Sequence, residues 1–135
     1  MLPLGNLSGE VHPWRRGKKE SDLKERLERY RQIKLTHSRP EDGQRISNPV
    51  WFVSEDEKLY LLPVHSSDTQ WYRNMLKNPS IRVDARGEEA RFRAIPIREA
   101  DSVKSVIEKF REKYGAGDVK RYYSKFEVAV LAEPL

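Results

Sequence analysis

The amino-acid sequence predicts an α+β fold in which an antiparallel sheet curls into a barrel and helices pack outside it. Three observations predict this. Strand-like segments come in pairs joined by tight turns, Arg45 to Val53 with Lys58 to Val64, and Ile81 to Ala85 with Ala90 to Ala94. Helical patterns lie between and after the pairs. Strands joined this closely leave no room for the long crossovers that a parallel doubly wound sheet needs.

Taken in order, residues 1–20 carry Gly, Pro, Asn and the basic cluster Arg15-Arg16-Gly17-Lys18-Lys19, and are expected to form a flexible basic arm. Residues 21–135 are expected to form one domain. Ser21 can cap a helix running to about Lys34, with Leu23, Leu27, Tyr30 and Ile33 near one face. Residues from His37 to Gly43 read as a loop, with Pro40 and Asp42-Gly43 as turn signals. The first hairpin turns at Ser54-Glu55-Asp56-Glu57. Its second strand breaks at Ser66-Ser67, where a short helix carrying Trp71, Tyr72 and Met75 begins and then stops at Pro79. Ser67 and Gln70 have capping-box spacing. In the second hairpin Ile81, Val83 and Ala85 alternate with Arg82, Asp84 and Arg86. Beyond Gly87-Glu88, Ala90, Phe92 and Ala94 alternate with Arg91 and Arg93, which gives one wet face. A helix from about Asp101 to Tyr114 carries Val103, Val106, Ile107, Phe110 and Tyr114 at helical spacing and ends at Gly115. Residues from Asp118 to Tyr123 can add a helical turn, and Phe126, Val128 and Val130 start a last strand that ends at Pro134.

Composition narrows the chemistry. With 135 residues the chain can build one core. It has no cysteine, which removes disulfides, thiolate metal sites and cysteine nucleophiles and is compatible with the cytoplasm. No apolar run is long enough to span a membrane, and the N-terminus lacks the apolar stretch of a signal peptide. The net charge of +5 and pI of about 9.5 favour an anionic partner.

No catalytic residue emerges from motifs. His12, His37 and His65 are scattered; there is no HExxH, GxSxG, P-loop or GxGxxG pattern, and no metal site is expected. Carboxylate pairs such as Glu55 and Glu57 sit in turns and read as solvated. The helix start after Ser66-Ser67 has two readings. It is a plain cap, or its amides and Ser66 hold a phosphate with Arg45 or Arg73 supplying charge. Asp68 in the first turn opposes the second reading. Trp51 should point away from Val50 and Phe52, and Trp71 and Met75 share a helical face; these aromatics either pack or flank a flat heteroaromatic ligand. Of Tyr122 and Tyr123, one is expected to pack and the other to be exposed. Arg82, Arg86, Arg91 and Arg93 read as a solvated face; no aromatics interleave with them, which weakens a nucleic-acid reading.

Several of these residues together resemble a known family. Asn48-Pro49-Val50-Trp51-Phe52-Val53, Leu59-Tyr60-Leu61, Ser66-Ser67, and Trp71, Asn74, Met75, Asn78 and Pro79 in the following helix are similar to the flavin-binding split-barrel proteins (the pyridoxamine 5'-phosphate oxidase-like group). Within them the deazaflavin-dependent nitroreductase branch is the nearest. The run Lys113-Tyr114-Gly115 with Asp118, Arg121, Tyr122 and Tyr123 extends the likeness, which covers residues from about Gln44 to Leu135. The resemblance implies a six-stranded antiparallel split β-barrel with flanking helices, a homodimer, and a flavin-type cofactor, FMN or a deazaflavin (coenzyme F420). Only five strands are clear, so the sixth would fall around Ile33 to His37. Carried over by position, the cofactor residues are Arg45, Ser47, Asn48, Ser66, Ser67 and Arg73 for the phosphate tail and Trp51 and Trp71 near the ring. The loop at His65-Ser66-Ser67-Asp68 lacks the glycine and lysine often found there in the family. The implied function is an oxidoreductase passing hydride to a small organic substrate, for which the cofactor supplies the chemistry. Two alternatives stand beside it: a basic barrel that binds nucleic acid or another anion without redox chemistry, and a split-barrel protein that has lost its cofactor.

Overall fold

The computed structural model describes residues 30–135. The expected N-terminal arm and most of the expected first helix lie outside them. The described elements are β1 (Gln32–Ser38), β2 (Arg45–Glu55), β3 (Lys58–Leu61), a 3-10 turn (Ser66–Asp68), α1 (Gln70–Lys77), β4 (Ser80–Ala85), β5 (Glu88–Ile97), α2 (Ala100–Tyr114), α3 (Ala116–Tyr122) and β6 (Ala129–Pro134). The six strands close into an antiparallel barrel in the order β1-β2-β3-β6-β5-β4. Each of the six strands thus has a neighbour on both sides over part of its length.

Strand β1 corrects two expectations. The helix expected to reach Lys34 gives way to strand by Gln32, and His37 lies in the strand rather than in a loop. The reason is a change of period. Ile33, Leu35 and His37 are buried while Lys34, Thr36 and Ser38 face outward, a two-residue alternation that a helical stripe through Ile33 hides. This strand is the sixth one that the resemblance called for. It is paired on both sides, with Leu35 opposite Asn48 of β2 and Val83 of β4.

Two boundaries also move. The β2–β3 turn is only Asp56 and Glu57, both at positive φ (52° and 68°), a combination whose twist matches that of the flanking strands. Ladder pairing of β6 begins at Ala129 rather than Phe126.

The apolar residues form two cores. The barrel interior holds Leu35, Val50, Phe52, Leu59, Leu61, Ile81, Val83, Phe92 and Val130, and helix α1 closes one end with Trp71, Tyr72 and Met75. A second core lies between the barrel wall and α2 and α3, where Val103, Val106, Ile107, Phe110 and Tyr114 meet Leu62, Val119, Tyr123 and Ala129. The five residues expected to face inward from α2 all do. No helix among the described residues is long and apolar enough to cross a membrane.

Candidate functional site

A local mismatch in β2 creates the site. Residues 45–51 of this strand pair with β1, but pairing with β3 starts only at Phe52, opposite Leu61. Asn48, Pro49 and Val50 therefore have an open flank, which suits a proline that has no N–H to donate. Beyond β3 the chain runs through Leu62 and Val64 into the 3-10 turn and α1. The divergence leaves a cavity of about 150 Å³ lined by Asn48, Pro49, Trp51, Thr69, Trp71, Tyr122 and Tyr123, among others. Its volume suits a single six-membered ring.

The aromatic side chains of this cavity are held in fixed positions. Val50 and Phe52 point into the barrel and Trp51 points out, as strand alternation requires. The Trp51 indole is sandwiched, with the Tyr114 ring at 4.3 Å and 11° on one side and the Tyr122 ring at 4.3 Å and 23° on the other. Tyr123 meets it edge-on at 6.0 Å. Tyr114 is anchored: its hydroxyl accepts from the amide of Phe52 at 2.9 Å, and the carbonyls of Arg31 and Phe52 each lie 2.7 Å away as acceptors. Burial pushes its pKa up to about 12. Tyr123 is buried and Tyr122 is exposed, so one of the pair packs and the other does not, and the structure decides which. The Tyr123 hydroxyl has no hydrogen-bond partner among the described residues, and burial drives its pKa far above the usual phenol value. It is thus a neutral donor, on a residue that lines the cavity, with no acceptor among the described residues.

The turn before α1 differs from its expected geometry. The capping box at Ser67 and Gln70 does not form. Ser66–Asp68 is a separate 3-10 turn, α1 starts at Gln70, and its N-cap residue is Thr69, with no side-chain cap. The competing bonds explain this. The Thr69 hydroxyl accepts from the amide of His65 at 2.8 Å, and the fully buried Ser66, at φ 52°, accepts from the amides of Glu127 and Val128 at 3.0 and 3.2 Å. The Ser66 hydroxyl thereby ties the turn to the start of β6. Ser67 is exposed, and Arg73 donates to the carbonyl of Asp68 at 2.9 Å. The Asp68 carboxylate pairs with Lys125 at 3.1 Å, which holds its pKa below the usual range.

A buried polar chain braces the open flank from inside. Gln70 donates to Asn74 Oδ1 at 2.9 Å, Asn74 Nδ2 donates to His37 Nδ1 at 3.0 Å, and His37 Nε2 donates to Asn48 Oδ1 at 2.7 Å. With Nδ1 accepting, His37 is neutral, and burial lowers its pKa. Nothing in the sequence around His37 signals this link, because both of its partners lie far along the chain.

The outer wall made by β5, β4, β1 and β2 carries two more cavities. One of about 500 Å³ is lined by Gln32, Lys34, Ser47, Asn48, Pro49 and Arg86, and it shares Asn48 and Pro49 with the aromatic cavity. The other, about 200 Å³, is lined by Thr36, Ser38, Arg45, Asn78, Ser80, Arg82 and Arg91. The structure thus gathers Asn48, Trp51 and Trp71 at one cavity. Ser47 lines the second and Arg45 the third, while Ser66, Ser67 and Arg73 surround the turn before α1. Among the described residues no cluster of His, Asp and Glu could hold a metal.

No curated protein matches the sequence. Solved structures do match the fold. One described as an F420-H2 dependent reductase (FDR-A) superposes with a TM-score of 0.61 at 16% identity, over 76% of this chain and 94% of that one. HutZ, described as the heme storage protein from Vibrio cholerae, gives a TM-score of 0.67 at 17% identity, over 86% and 89%. A protein described as a domain-swapped dimer gives 0.61 at 15% identity, over 84% and 98%. At these identities the likeness is one of fold, and that fold is the split barrel that the sequence resembles. Residues 23–130 match the family described as "Uncharacterized protein conserved in bacteria (DUF2255)", and the chain belongs to that family.

Proposed function

We propose that the protein binds the ring of a flavin-type cofactor at the Trp51–Trp71 cavity and is an oxidoreductase that passes hydride to a small organic substrate. The observation that carries this reading is Tyr123, which lines an aromatic cavity and whose buried hydroxyl has no hydrogen-bond partner among the described residues. A buried donor without an acceptor is unfavourable by about 1–3 kcal/mol, and a ring bearing a carbonyl or ring nitrogen would relieve it. The residues present fit one end of such a ring. Both faces of Trp51 are covered by tyrosines, so the ring would enter edge-on past Asn48 and Pro49, against Trp71, with its remainder over the 500 Å³ cavity.

When bound, a reduced flavin or deazaflavin supplies the hydride. This chain's residues do the rest. Asn48 is fixed by neutral His37 and holds the rim in shape. Ser47 and Lys34 line the route of the tail. Exposed Tyr122 screens Trp51 from water. The turn at Ser66, Ser67 and Arg73 positions Thr69 at the cavity wall. The likeness to a solved domain-swapped dimer supports a homodimer, and a cysteine-free chain suits the cytoplasm.

Titration of the purified protein with FMN and with a deazaflavin, followed by visible absorbance, tests the reading. A shifted and saturable band with either cofactor is expected, weakened at least tenfold by Trp71→Ala. An unchanged spectrum with both at high micromolar concentration would leave the barrel without the proposed cofactor.

A further inference from the structure

We infer that His37 is a positioning residue that latches α1 to the rim of the aromatic cavity, and that protonation of its imidazole releases the latch, so that the site holds its ligand at neutral pH and loosens in acid. The inference rests on the cofactor reading for what is released and on separate observations for the latch. The latch spans the end of the barrel that α1 closes. His37 stands on β1 and is 2% exposed. Its Nδ1 accepts from Asn74 of α1 at 3.0 Å, and its Nε2 donates to Asn48 of β2 at 2.7 Å. One imidazole thus joins two elements that each carry cavity residues. Asn48 lines the cavity itself; Trp71 and Thr69, which also line it, are a residue of α1 and its N-cap. Among the described residues the Asn74–His37 bond is the only side-chain hydrogen bond from α1 to a barrel strand.

This bond pattern belongs to the neutral ring. A protonated imidazole donates from both nitrogens, so its Nδ1–H would face the Asn74 NH2 at 3.0 Å. Turning that amide over would restore an acceptor, but it would also reverse the 2.9 Å bond with Gln70 and leave the charge buried. No carboxylate among the described residues balances that charge. The charged groups on the elements around His37 lie on outward positions. Lys34 of β1 and Asp84 of β4 pair with each other at 3.9 Å, and Arg82 of β4 pairs with Glu89 at 3.4 Å. On α1, Arg73 bonds the Asp68 carbonyl and Lys77 is exposed; on β2, Arg45 is exposed and Glu55, at the far end, pairs with Lys109. A buried cation without a counter-charge is strongly unfavourable, and water relieves it. The chain of amides meets solvent at exposed Gln70 and part-exposed Asn48. Hydrating the ring therefore parts α1 or the rim from it, and that moves Trp71 and Thr69 away from Asn48. Burial lowers the His37 pKa, in keeping with a ring that resists charging while the site is closed. The sign follows. The closed site is complete above about pH 6.5, and affinity falls as the pH drops through the lowered folded-state value. By linkage, a ligand that holds the site closed must lower the His37 pKa further.

The test uses the full chain and riboflavin, a flavin ring with no group that titrates between pH 5.0 and 7.5. Affinity is measured at both pH values for the wild type, His37→Gln and His65→Gln. The last controls for the exposed histidine beside the turn before α1. NMR follows the His37 imidazole and the Trp71 indole across the same range, with Trp71→Phe to assign the indole signal. The wild type and His65→Gln should bind at least fivefold more weakly at pH 5.0, while His37→Gln should change less than twofold. In the unliganded wild type the Trp71 indole should shift with the midpoint of His37, and riboflavin should lower that midpoint. Undiminished wild-type affinity at pH 5.0, an equal loss in His37→Gln, or a Trp71 signal that ignores the titration of His37 would overturn the latch. If riboflavin binds at neither pH but Trp71 still follows His37, the cofactor reading falls while the latch stands. Should His37→Gln not fold, the joint titration of His37 and Trp71 in the wild type decides.

Discussion

Replacing Tyr123 with phenylalanine removes one oxygen and leaves the ring contacts with Phe110, Trp51 and Tyr122 in place. That oxygen is buried and has no hydrogen-bond partner among the described residues. Its burial without a partner is unfavourable by about 1–3 kcal/mol, so Tyr123→Phe should stabilise the unliganded protein by about 1 kcal/mol or more. For a chain of this size each 1 kcal/mol raises Tm by about 3–5 °C. The same substitution should weaken a bound ring, because the ligand acceptor loses its donor. A stability gain coupled to a binding loss is expected of a group kept for function. Tyr72 is the internal control. Its hydroxyl is also buried and has no partner among the described residues, but Tyr72 packs in the barrel core and does not line this cavity. Tyr72→Phe should therefore stabilise without touching affinity. Scanning calorimetry gives the first quantity and cofactor titration the second. A lower Tm for Tyr123→Phe, or equal affinity losses for both variants, would refute the assignment of the Tyr123 hydroxyl to a ligand.

Three further outcomes follow from the geometry. Neutral, buried His37 has a folded-state pKa below its unfolded value near 6.5, so its contribution is complete above that pH and is lost as the pH falls below it; urea midpoints at pH 7.5 and 5.5 should differ more for the wild type than for His37→Gln. Lys113, half-buried against Phe52 with its pKa pulled down to about 8 by burial and by nearby Arg31, opposes folding below pH 8, and the effect fades as pH rises toward 10.5; Lys113→Met should be more stable at pH 7 by roughly 1–3 kcal/mol, with the gap closing by pH 10 in denaturant titrations. Ser66→Ala strips the acceptor from two amides and should destabilise by roughly 2–4 kcal/mol, read from the shift in urea midpoint.

Much of the barrel was legible because its physics is local. Alternation in the two hairpins and the stripe of α2 each bury one face, and a residue pattern states that directly. What escaped was set at a distance. β1 reads as the tail of a helix until β2 and β4 claim its two edges. His37 looks like loop material until Asn48 and Asn74, 11 and 37 residues away, take its two nitrogens. Ser67 has perfect spacing for a cap, yet Ser66 wins the local contest because two amides at the start of β6 need an acceptor. The same holds for the site. Trp51, Trp71 and Asn48, which the resemblance singles out, line one cavity. Arg82 and Arg91 looked like solvated charge, because only barrel closure places them beside Arg45. The partnerless hydroxyl of Tyr123 has no sequence signature, since being unpartnered depends on every neighbour in the fold.

The most direct measurement of the central claim is a crystal structure of the protein grown with a deazaflavin or FMN. The account predicts one end of the ring between Pro49 and Trp71, with a ring acceptor about 2.7–3.0 Å from the Tyr123 hydroxyl. A cavity holding only water bonded to that hydroxyl, with the cofactor elsewhere or absent at saturating concentration, would contradict it.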